Sequence, residues 1–145
     1  MILIDANLLL YAYHPKAAQH EPSRAWLEGC LTGSQLVRLT WLTVWAFLRI
    51  STNPRVFEFP FSIQEAEGIV TTWLEHPLIG ILEPGDQHWM ILQTCMKEGQ
   101  THGPLVMDAV LAAIALEHGA VLYTTDQDFS RFPKLKWINP LQDHT

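Results

Sequence analysis

Four aspartates stand where their surroundings could turn a carboxylate to chemistry: Asp5, Asp108, Asp126 and Asp128. Asp5 follows the apolar run Met1-Ile2-Leu3-Ile4, whose two β-branched residues predict a short buried strand over Ile2 to Ile4. Asp5 then sits at the carboxyl end of that strand, where open α/β sheets bind ligands. Asp108 lies in the first turn of an Ala-rich apolar segment, and Asp126 and Asp128 follow the apolar run Val121 to Thr124. Taken singly, each is satisfied by a structural role, since an aspartate at a helix start accepts an orphan backbone N–H and one in a loop makes an Asx turn. Taken together they pose an energy problem. Two carboxylates about 4 Å apart repel by roughly 4 kcal/mol at an effective dielectric near 20, against a domain stability of about 5 to 15 kcal/mol. No Lys or Arg lies within four residues of Asp5 or Asp108, although Arg131 stands near Asp128. A hard divalent cation is the simplest counter-charge, because Mg²⁺ takes oxygen ligands and combines one or two carboxylates with a substrate phosphate. Such a site would align and deprotonate water for attack on a phosphodiester.

The rest of the chain must position these groups. Its 145 residues, 48% apolar, match one domain (1–145) with a core flanked by two layers of helix. Apolar runs long enough to span a membrane do not occur, and the amino terminus lacks a basic segment leading to a small-residue cleavage site, so a cytoplasmic protein without a membrane role is expected. Cys30 and Cys95 lie in helical stretches without zinc or redox spacing. None of the seven histidines pairs with another at i, i+4, which favours surface or capping use over metal ligation. The net charge of −6 argues against sequence-blind duplex binding but not against a nuclease. Metal-holding acids lower the net charge, and Arg38, Arg49, Arg55, Arg131, Lys134 and Lys136 could still steer phosphate.

In order, the patterns predict a short helix over Asn7 to Tyr13, a helix over His20 to Leu31, a strand over Leu36 to Thr40 and an apolar helix over Trp41 to Ser51. Ser62 and Glu65 form a capping box opening a helix to about His76. A strand over Ile79 to Leu82 and a helix over Gln87 to Lys97, stopped by Gly99, come next. The helix from Leu105 is apolar almost all round, which predicts cover on several sides, and Gly119 stops it. Val121 to Thr124 and Lys136 to Ile138 are the last strands, with a turn into a short helix at Asp126 to Phe129 between them. Strands alternating with helices predict an α/β/α sandwich on a mainly parallel sheet. Trp41, Trp45, Phe47, Phe57, Phe59, Phe61 and Trp73 are more aromatic surface than one stretch needs, so part is core and a remainder beside the acidic crevice would suit a partner.

Several of these segments, in this order, resemble the PIN domain, and more narrowly the VapC ribonuclease toxins of type II toxin–antitoxin pairs. They are Asp5-x-Asn7 after the first strand, Thr40 leading into Trp45-Ala46-Phe47-Leu48-Arg49, and Thr52-Asn53-Pro54-Arg55-Val56-Phe57. Asp108 before the Ala-rich helix ending Leu116-Glu117-His118-Gly119, and Thr124-Thr125-Asp126-Gln127-Asp128-Phe129, complete the set, which spans nearly the whole chain out to Pro140. The resemblance implies a PIN-like three-layer sandwich and a metal-dependent endoribonuclease, with Mg²⁺ or Mn²⁺ as cofactor. Its partners would be an RNA substrate, a second copy of the chain in a homodimer, and a VapB-like antitoxin laid as an amphipathic segment in a groove. Asp5 and Asp108 would be the metal ligands, and Asp126 matches the acidic position after the fourth strand, with Asp128 as its neighbouring candidate. Asn7 and Thr124 would tie the first loop to the site by hydrogen bonds. Many PIN domains carry Glu three residues before the Arg of the third helix, where this chain has Ala46. That departure implies a one-metal site and leaves a catalytically inactive PIN-like binding module as the alternative. A phosphotransfer domain with Asp5 as nucleophile is a weaker one, because haloacid-dehalogenase-like enzymes need an acid where Asn7 stands.

Overall fold

The computed structural model describes residues 1–142. Strands β1 (Ile2–Ile4), β2 (Val37–Leu39), β3 (Ile79–Ile81), β4 (Val121–Tyr123) and β5 (Trp137–Ile138) form one parallel sheet in the order β3-β2-β1-β4-β5. Six helices connect them: α1 (Ala6–Tyr13), α2 (His20–Leu31), α3 (Trp41–Ser51), α4 (Ile63–Glu75), α5 (His88–Glu98) and α6 (Leu105–His118).

Alternation along the strands produces the three layers. Ile2, Ile4, Val37 and Leu39 point to one face, where they pack with Leu8, Leu9, Leu27, Val44, Phe47, Val70 and Trp73 from α1 to α4. Leu3 and Leu122 point to the other, against α5, α6 and Phe129. With both faces covered, the central strands β1 and β4 read as continuous apolar runs, whereas β2 alternates around Arg38. The unbroken burial of Leu111 to Ala115 answers to the all-round apolarity of α6.

Local chemistry sets the element ends close to where the sequence puts them. The capping box is formed, with Ser62 Oγ accepting from the Glu65 N–H and the Glu65 carboxylate accepting from the Ser62 N–H. Gly119 closes α6 in the left-handed region (φ 66°), which a side chain would strain. The short helix expected after Asp126 is a 3₁₀ turn, Gln127–Arg131. The aromatic loop folds back on the core: Phe57 stacks on the buried His14 ring with centroids 3.8 Å apart, and His14 Nε2 is hydrogen-bonded to the Phe59 carbonyl. Phe47 and Trp73 pack edge to face inside, whereas Trp41 and Trp45 stay exposed.

The strand order reverses at β1, with β2 and β3 to one side and β4 and β5 to the other. That reversal opens a crevice beyond the carboxyl ends of β1 and β4, the usual ligand position in such sheets.

Candidate metal centre

Asp5 ends β1 at this crevice. Its N–H donates to the Tyr123 carbonyl at 3.0 Å, extending the β1–β4 ladder by one bond, and its Oδ1 accepts from the Ala6 N–H at 2.8 Å and caps α1. Its Oδ2 accepts from Thr124 Oγ1 at 2.7 Å. Thr124 is fully buried, and the same hydroxyl oxygen accepts from the Asp126 N–H at 3.0 Å. Asp126 Oδ1 in turn accepts from the Asp128 N–H at 2.9 Å and caps the 3₁₀ turn. One chain of hydrogen bonds thus runs from Asp128 through Asp126 and Thr124 to Asp5.

Asp108 reaches the crevice from the first turn of α6. Its carboxylate and those of Asp126 and Asp128 each offer an oxygen, and these oxygens lie within 4.8 Å of one another. Asp5 is not in that group, since its two oxygens are turned toward Ala6 and Thr124, but its charge is felt there. The Asp108 carboxyl is pushed up to about 6, first by loss of water and then by the charges of Asp126, Asp5 and Asp128, with Arg131 opposing. Burial also pushes Asp5 above its ordinary value, against the Thr124 and Ala6 hydrogen bonds that pull it down, and Asp126 pushes the same way as burial. Arg131, the basic residue nearest in sequence, donates to the Gly99 carbonyl. Among the described residues no Lys or Arg forms an ion pair with any of the four aspartates.

This donor set fits a hard cation. It is all carboxylate oxygen, and oxygens spaced within 4.8 Å can share an ion whose ligands sit at roughly 2.0–2.6 Å. Of the sequence-expected residues, Asp108, Asp126 and Asp128 come together in one group, both later acids joining rather than one standing in for the other, whereas Asp5, expected as a metal ligand beside Asp108, stands outside that group and is tied to it through Thr124. Thr124 makes the tie expected of it. Asn7 does not, because α1 starts directly after Asp5 and carries Asn7 in its first turn, with Oδ1 buried and lacking a hydrogen-bond partner.

A cleft of about 510 Å³ opens beside the acids, lined by Asp5, Asp108 and Met107 on one side and by Trp45, Ala46 and Arg49 of α3 on the other. Ala46 occupies the place of the usual acid, so α3 brings no carboxylate to the cleft. Sequence reasoning passed over Thr43, whose Oγ1 donates to the Ile4 carbonyl at 3.4 Å and joins α3 to the end of β1. The signal was present as Thr40-x-x-Thr43, since Thr40 Oγ1 caps α3 by accepting from the Thr43 N–H.

A family model for the PIN domain matches residues 2–135, and the chain belongs to that family. Within it the chain falls among the VapC ribonucleases. It is 37% identical over 140 residues to Ribonuclease VapC37 of Mycobacterium tuberculosis, covering 97% of each chain. The same fold occurs in VapBC-1 from nontypeable Haemophilus influenzae (TM-score 0.68, 19% identity, 98% of this chain and 100% of that one). It occurs also in a toxin-antitoxin complex from Klebsiella pneumoniae (TM-score 0.66, 16% identity, 97% and 98%). PIN domains are metal-dependent nucleases, which accords with the acidic group in the crevice.

Proposed function

We propose that this chain, as a single domain, is a metal-dependent endoribonuclease and the toxin of a type II toxin–antitoxin pair. The observation that carries the reading is the crowding of Asp108, Asp126 and Asp128 at the sheet's switch point, with no Lys or Arg among the described residues paired to them. The ion would be Mg²⁺, which Asp108, Asp126 and Asp128 would hold, with Asp5 beside them able to join because its oxygens keep free lone pairs after accepting from Ala6 and Thr124. Such an ion would polarise a phosphoryl oxygen and acidify the attacking water. The protein's own part is positional. Thr124 fixes the Asp5 carboxylate and the Asp126 backbone with one hydroxyl, and α6 brings Asp108 across from the opposite layer. Ala46 contributes no ligand, which keeps the site to one metal.

The reading extends to partners. The chain acts in the cytoplasm as a homodimer and is bound by a small VapB-like antitoxin; structures that share its fold include VapBC-1 and a toxin–antitoxin complex. No described helix is long and apolar enough to cross a membrane. Expression of the chain alone should stop bacterial growth, and co-expression of the neighbouring antitoxin gene should restore it. Normal growth on expression of well-folded chain would count against the toxin assignment, and a monomer at micromolar concentration would remove the homodimer.

A further inference from the structure

Trp41, Trp45 and Arg49 recur every four residues along α3 and so share one face of that helix. Trp45 is 59% exposed and lines the same cleft as Asp108. Arg49 lines the same cleft one turn further on. Four of the other cations are engaged elsewhere: Arg24 with Glu28, Lys134 with Glu98, Arg38 with the Val37 and Leu78 carbonyls, Arg131 with that of Gly99. Arg49 makes no hydrogen bond or ion pair among the described residues, so its charge is free toward the cleft. A bare indole and a free guanidinium, one turn apart and facing a carboxylate group, match a strand that alternates aromatic bases with phosphates.

We infer that Trp45 and Arg49 form a subsite for single-stranded RNA beside the acidic centre, Trp45 stacking on one nucleobase next to the scissile phosphate and Arg49 pairing with a phosphate of the same strand. This rests on the ribonuclease reading and deepens it. Stacking accepts any base that is unpaired, because every base presents a π-face. The subsite therefore selects unpaired RNA over duplex and leaves sequence preference to other contacts. Arg49 adds a planar, two-pronged phosphate ligand on a protein whose net charge of −6 would otherwise repel the strand.

The test uses the full chain in EDTA, with a mixed-sequence single-stranded RNA oligonucleotide as probe and its annealed duplex as competitor, and then Mg²⁺ to read cleavage. Trp45→Ala should weaken binding of the single strand by roughly 5- to 150-fold, the loss of one stacked base, while Trp45→Phe keeps most of it. Arg49→Ala should lower the slope of log affinity against log salt by about 0.7, the loss of one phosphate contact on a single strand, whereas Arg49→Lys keeps the slope. A single abasic site scanned along the oligonucleotide should reproduce the Trp45→Ala loss at one position and add nothing further to it there. Wild-type binding and cleavage by a folded Trp45→Ala protein would overturn the subsite, including when that variant has lost self-association or antitoxin binding, for then a protein covers the indole. Absence of Mg²⁺-dependent cleavage in the wild-type chain would instead defeat the ribonuclease reading, so the two failures are told apart.

Discussion

The Thr124 hydroxyl holds two acidic positions at once, donating to Asp5 Oδ2 and accepting from the Asp126 N–H. Its replacement by Val keeps the shape and removes both bonds inside a fully buried site, so Thr124→Val should lose about 1–3 kcal/mol of stability and most of the cleavage rate. Thr124→Ser should retain both, which a paired melt and cleavage assay would check. Asp108 carries the clearest pH signature. Its folded-state value of about 6 lies above its ordinary 3.8. Its proton therefore stabilises the metal-free fold fully below the lower value, and that contribution is lost as pH rises through the upper one. Wild-type melting temperature minus that of Asp108→Asn should fall over this window in EDTA; a difference that is flat in pH would contradict the crowding. Ala46→Glu adds a further acid to the same cleft. It should lower the metal-free melting temperature and enlarge the rise on adding Mg²⁺, measured by thermal denaturation in the two buffers.

At the level of elements, what the sequence makes legible follows from periodicity and punctuation. Helices α2, α3, α4 and α6 lie where their apolar spacing and their Pro, Ser and Gly punctuation place them, and the strands fall within a residue or two of their β-branched runs. The acids were legible because each follows an apolar run at an element boundary. Their grouping was not, because it depends on register: only the pairing of Ile4 with Tyr123 sets Asp5 beside Thr124, and only the packing of α6 brings Asp108 to Asp126 and Asp128. Asn7 lies in the first helix both by pattern and in the structure, and its Oδ1 is buried there with no hydrogen-bond partner, which sequence pattern does not report. Helix α6 carries Asp108 at one end and Gly119 at the other. Gly119→Ala should cost about 1–2 kcal/mol through the left-handed backbone yet leave the cleavage rate of the folded protein unchanged, because Asp108 lies three turns away. Denaturant unfolding beside a rate measurement would separate these effects.

The whole molecule is an acidic protein with its negative charge partly concentrated at one crevice. The helices cover both faces of the sheet and leave the carboxyl ends of β1 and β4 as the open edge of the core, so the acids are rigidly backed while their oxygens remain reachable. A bound divalent cation converts that repulsion into cohesion, so Mg²⁺ should raise the melting temperature of the wild type and leave that of Asp108→Asn nearly unmoved. The most direct measurement is the cleavage of total RNA by purified wild-type chain and by Asp108→Asn, each in EDTA and in Mg²⁺, with circular dichroism confirming that the variant is folded. Cleavage by the wild type in Mg²⁺ alone, and none by the variant in either buffer, is the predicted result. Equal Mg²⁺-dependent cleavage by folded Asp108→Asn would contradict the assignment of this crevice as the active site.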